Sequence, residues 1–174
     1  MDHRRPTIHT IAEAEALREN VLSAAKHSAD WLRRFAGAPL ELFRELRFHT
    51  VGHDPLTCAP LNFVEQLNQT FTILVTLRAI EQLLEIHPEA GGFRLALTTS
   101  SGRDIESVVQ DLVAAEVFAA THPNSNQKIK KDIARLSADP ARHRYVFFAA
   151  PGYTRGRQVA LETSRDVEVW CVEI

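Results

Sequence analysis

Only two cysteines occur in the 174 residues, Cys58 and Cys171, and they form no spaced motif. That excludes a disulfide framework and points to reduced thiols in a cytoplasmic protein. Long apolar runs are missing as well. None approaches the roughly 20 residues of a membrane span, so no membrane partner is expected. The opening MDHRRPTIHT has basic residues with no apolar segment behind them, which argues against a secretory signal. Repeats and low-complexity tracts are absent. Gly91-Gly92 precedes a strand rather than a helix, which excludes a phosphate-cradling loop. Ser100-Ser101-Gly102 lacks the nucleophile-elbow pattern, and His49, His53, Asp54 and Cys58 match no common zinc spacing.

What is present describes one globular chain with a full core, since 45% of residues are hydrophobic and 24% are charged. The net charge of −2 is unevenly spread. Between Ala120 and Ala160 stand eight cations, Lys128, Lys130, Lys131, Arg135, Arg142, Arg144, Arg155 and Arg157, against two acids, Asp132 and Asp139. Such a segment can bind phosphate, or it can be a solvated basic face.

Apolar residues from Ile11 to Phe35 recur at helical spacing, and Leu40–Phe48 suits another short helix. HTVGHDPLTCAP reads as a connector. A long helix is expected from Leu61 to Ile86, opened by Pro60 and stopped near Pro88. Phe93–Thr99 suits a strand, and Arg103–Val109 a second strand or a turn. Asp111–Ala120 has the apolar run of a strand buried on both faces. Asn124 or Ser125 is positioned to cap a helix carrying Ile129, Ile133 and Leu136. Arg144–Ala150 is a further strand, and Gln158–Glu162 with Val167–Ile174 suits a closing hairpin. The order predicts an α/β or α+β sandwich with the central strands in one covered sheet.

Two features carry chemistry. Gln66 to Leu77 contains no charged residue, while Asn62, Glu65, Gln69, Thr72 and Thr76 form one polar stripe. That stripe is either a buried seam or the wall of a site. The second feature is Glu116, in the middle of the apolar strand, where a carboxylate is costly unless paired, protonated or bound to a cation. An arginine such as Arg94 or Arg103 could neutralise it. Asp104 lies twelve residues earlier with a turn near Gln110 between them, so a hairpin can set the two acids side by side. A divalent cation relieves the repulsion of such a pair.

On these residues the chain resembles the PD-(D/E)xK superfamily of restriction-endonuclease-like nucleases, over about residues 60–150. The family pattern is a helix Glu, an Asp at the start of a hairpin, Glu-x-Lys on the next strand, then a helix that can carry Gln or Lys. Glu65, Asp104 and Glu116 match the three acids in order. Phe118 stands where the motif lysine belongs, and Lys128 or Lys131 on the following helix is the replacement. The resemblance implies an α/β restriction-endonuclease-like mixed sheet flanked by helices over residues 57–174, with residues 1–56 as an N-terminal helical appendage. It further implies hydrolysis of DNA phosphodiester bonds with Mg²⁺ on Asp104 and Glu116, in a setting such as bacterial defence or repair. Asn126, Gln127, Lys130, Arg135, Arg155 and Arg157 would contact the nucleic acid, beside the polar stripe at Asn62, Gln69 and Thr72. Phe118 supports an alternative, an inactive relative that binds nucleic acid or a protein. Trp31, Leu32 and Phe35 on the N-terminal helices could mediate a homodimer.

Overall fold

The computed structural model describes residues 6–96 and 102–174. In chain order the elements are β1 (Thr7–Ile8), α1 (Ile11–Arg34), α2 (Pro39–Phe48), β2 (Gly52–His53), β3 (Pro60–Leu61) and α3 (Phe63–Ile86). There follow β4 (Phe93–Leu95), β5 (Ile105–Ser107), β6 (Val113–Ala119), α4 (Lys128–Ser137), β7 (His143–Ala149), β8 (Gly156–Arg157) and β9 (Glu168–Cys171). Two compact units divide the chain, Met1–Ala14 with Val75–Ile174, and Glu15–Leu74, so the divisions fall inside α1 and inside α3.

The larger unit is a seven-stranded mixed sheet in the order β1-β4-β5-β6-β7-β9-β8. β4, β5 and β6 run as an antiparallel meander, and β6 then pairs in parallel with β7, from Val113 opposite His143 to Ala119 opposite Ala149. A parallel neighbour requires a crossover, and α4 supplies it. Ile129, Ile133 and Leu136 of α4 pack with Ala114, Phe118, Val146 and Phe148 in one apolar cluster. Phe118 stacks on Phe148 with ring centroids 5.7 Å apart. Elsewhere in this unit the buried Tyr145 hydroxyl and His87 Nε2 hydrogen-bond at 2.8 Å, so neither polar group is orphaned.

In the smaller unit the buried Gln66 organises the β2–β3 ribbon. Its Oε1 accepts from Ser28 Oγ at 2.6 Å and from the His53 N–H at 2.8 Å. A Cβ on Gly52 would meet that same oxygen at 2.6 Å and the Phe63 Cα at 3.0 Å, so any larger residue here displaces Gln66 from these hydrogen bonds. The polar stripe of α3 is divided: Glu65 and Thr72 are exposed, Asn62 and Gln69 are half-buried and Thr76 is buried, while Gln66 and Thr70, outside the stripe, are also taken inside.

Several elements differ from their sequence-based expectation. α3 starts at Phe63 because Asn62 Oδ1 accepts the Glu65 N–H at 2.9 Å, while Pro60 pairs with His53 in the ribbon. β4 spans Phe93–Leu95, and residues 97–99 of the expected strand lie outside the described residues. Neither Asn124 nor Ser125 caps α4. Residues 125–127 make a 3₁₀ turn in which Asn126 and Gln127 take φ of 53° and 55°, and the α-helix begins at Lys128. At the C-terminus the partner of β9 is Gly156–Arg157, because residues 159–161 coil into a 3₁₀ turn.

Candidate active site

The side chain of Glu116 lies between those of Ala114 and Phe118 on the sheet face that α4 covers, because alternate residues of a strand share a face. It is 1% exposed. The hairpin register brings Asp104 to it. Ile105 stands opposite Ala115 and Glu106 opposite Ala114, so one further step sets Asp104 opposite Glu116. Asp104 is held there by its own backbone and side chain: its carbonyl accepts the Ala96 N–H at 2.9 Å, and its Oδ2 accepts the Val117 N–H at 2.9 Å. Arg103, the residue before it, forks onto Asp139 at 2.6 and 2.7 Å and reaches Asp111 at 2.8 Å. That clamp ties the entry of β5 to the segment joining α4 and β7.

α4 contributes three charged groups. Asp132 shares the buried stripe of Ile129, Ile133 and Leu136 and is 3% exposed. Its Oδ1 accepts from the Lys128 ammonium at 2.7 Å, whereas its Oδ2 is buried without a hydrogen-bond partner. The Arg135 guanidinium contacts Glu116 Oε2, and it lies 3.8 Å from Asp132 Oδ1. Lys128 Nζ stands 5.9 Å from the centroid of the Phe118 ring. The ammonium therefore approaches the strand position that a lysine fills in the resembled pattern, but arrives from the helix.

These contacts set the electrostatics. Burial, and then the Asp104 carboxyl within hydrogen-bonding reach, push Glu116 up to about 9, with Arg135 pulling the other way. Burial also raises Asp132, against the opposing Lys128 and Arg135. A carboxyl raised as far as that of Glu116 keeps its proton at neutral pH unless a cation takes its place.

The residues singled out from the sequence thus fall into two sets. Asp104, Glu116, Lys128 and Arg135 converge. The arginine that reaches Glu116 is Arg135, because Arg94 faces Glu106 and Arg103 is committed to Asp111 and Asp139. Lys130 and Lys131 are exposed on α4, with Asn126 and Gln127 exposed at its entry. Arg155 lines a depression with Arg78, Glu81 and Glu85, and Arg157 is paired with Glu162 and Glu168 at 2.7 and 2.9 Å. Glu65, Asn62, Gln69 and Thr72 belong to the smaller unit, where Gln69 donates to Glu65 at 2.9 Å. Asp132 was missed. Its signal was available: an acid at the buried spacing of Ile129 and Leu136 is as anomalous on a helix as Glu116 is on a strand.

The donor chemistry suits a hard divalent cation. Asp104 and Glu116 offer oxygens only, and the orphaned Asp132 Oδ2 leaves the cluster short of positive or donor groups. Among the described residues no three acid, histidine or cysteine side chains form a group able to hold a metal ion. Two carboxylates with water and a substrate phosphate suffice for Mg²⁺. Comparison with protein-family models, with curated proteins and with solved structures finds no match.

Proposed function

We propose that the chain is a restriction-endonuclease-like domain that hydrolyses DNA phosphodiester bonds, with Asp104 and Glu116 as the ligands of an Mg²⁺-type cation. The observation that carries this reading is the opposed pair Asp104 and Glu116 across β5 and β6, with the Lys128 ammonium beside Phe118. The element order also supports it: a long helix, a hairpin whose first strand follows the Asp, a strand with the Glu, then a helix with the lysine. When bound, the cation supplies an acidified water and neutralises charge on the scissile phosphate. Asp104 and Glu116 hold it in place, and the closed face of α4 keeps bulk water away. Lys128 orients the attacking water and stabilises the negative charge that develops on phosphate, as the motif lysine would. Asn126, Gln127, Lys130 and Lys131, all exposed at the start of α4, flank the backbone of the DNA.

Plasmid DNA incubated with Mg²⁺ or Mn²⁺ tests the reading. Glu116→Gln and Asp104→Asn abolish cleavage, and Lys128→Ala lowers it by about 10²–10³. Cleavage by Glu116→Gln at the wild-type rate would overturn the assignment.

A second reading, an inactive relative that binds without cutting, draws on Phe118 at the lysine position and on Arg135 covering Glu116. Calorimetry that finds metal binding, with plasmid left intact, favours it.

A further inference from the structure

We infer that Arg135 is an exchangeable counter-ion, which rests on Glu116 in the cation-free protein and moves to the scissile phosphate when a divalent cation occupies Asp104 and Glu116. The inference rests on the metal-binding part of the reading above and extends it with a residue that the resembled pattern does not contain.

Three observations carry it. The first is location: the guanidinium lies on Glu116 Oε2, on a carboxylate the cation needs, so the two positive charges compete for one oxygen. The second is exposure with a tether. Glu116 is almost wholly enclosed, but the Arg135 side chain is 51% exposed, so it can leave toward solvent without opening the core. Asp132 Oδ1, 3.8 Å away on the same helix, keeps it close, and Asp132 Oδ2 has no hydrogen-bond partner of its own. The third is charge. With a divalent cation bound, three ionised carboxylates face that cation, Lys128 and Arg135, which leaves one net positive charge. A phosphodiester carries one negative charge and closes the balance. A guanidinium fork also matches two phosphate oxygens better than an ammonium does.

The signature is a pair of effects of opposite sign, which a merely structural arginine would not produce. Titrating Mn²⁺ alone into the full chain by calorimetry, Arg135→Gln binds severalfold more tightly than wild type, because the competitor is gone. Binding a short labelled DNA duplex with and without Ca²⁺, wild type gains affinity from the cation and Arg135→Gln loses that gain. Arg135→Lys, which keeps the charge but not the fork, falls between them in both assays. Lys130→Gln, on the same helix, weakens duplex binding slightly and leaves Mn²⁺ affinity unchanged. Equal or weaker Mn²⁺ binding by Arg135→Gln, or an undiminished cation-dependent gain, overturns the inference. Glu116→Gln separates the two failures. If it binds Mn²⁺ as wild type does, or if no variant binds, the metal site falls and the exchange with it. If Glu116→Gln loses Mn²⁺ while Arg135→Gln binds it no more tightly than wild type, the metal site stands and only the role of Arg135 falls.

Discussion

Glu116 accepts a guanidinium on one side and faces a second carboxyl on the other, inside a wall of apolar side chains. Its ordinary value is 4.5, and in the fold it is pushed up to about 9. Below 4.5 the folded and unfolded chains both hold this proton, and its contribution to stability is fully present. Above 4.5 the unfolded chain releases the proton while the native state keeps it, so stability from this group is lost progressively until about 9. Urea unfolding in the presence of a chelator checks the sign. Glu116→Gln, which cannot ionise, is expected to gain on wild type steadily as pH rises through that window. Parallel pH profiles for the two proteins would show that Arg135 keeps Glu116 ionised throughout.

At the scale of elements, α4 carries the conflict between folding and chemistry. Its inward face would pack best if it were apolar throughout, yet Asp132 interrupts Ile129, Ile133 and Leu136 with a buried oxygen that no donor reaches. Replacing it by Leu removes that penalty and frees Lys128, which is 39% exposed and can be solvated. Asp132→Leu is therefore expected to gain about 1 kcal/mol in chemical denaturation. On the proposed function the same variant is expected to lose DNA cleavage, because nothing then holds the ammonium beside Phe118. A variant less stable than wild type would mean that the Lys128 contact contributes more than the burial of Asp132 costs.

Across the whole molecule the basic segment is smaller than its charge count suggests. Lys128 is paired with Asp132, Arg135 with Glu116, Arg144 with Asp166, and Arg157 with Glu162 and Glu168. Lys130, Lys131, Arg142 and Arg155 remain exposed. On the proposed function, and without divalent cation, four phosphate contacts predict a plot of log affinity against log salt with a slope of about −3.6, where eight would give about −7. Duplex binding measured over a range of NaCl concentrations distinguishes them. A slope near the steeper value would mean that DNA breaks the internal ion pairs on binding.

The class of fold was legible in the chain because apolar periodicity is a local property. A helix through Ile129, Ile133 and Leu136 and a doubly buried strand around Glu116 follow from spacing alone, and an acid in that strand marks itself as anomalous. The turn chemistry before α4 was not legible, since Asn126 and Gln127 at positive φ leave no cap signature for Asn124 or Ser125 to fulfil. The partner of Glu116 was also beyond the sequence by itself. Arg94, Arg103 and Arg135 are equal in composition, and only the β5–β6 register and the crossover through α4 decide which guanidinium arrives. Residue types and their periods determined that a charged group would be buried in a covered sheet. The pairing of strands, which depends on residues far apart in the chain, decided that Asp104, Asp132 and Arg135 would be its neighbours, with Lys128 held on Asp132.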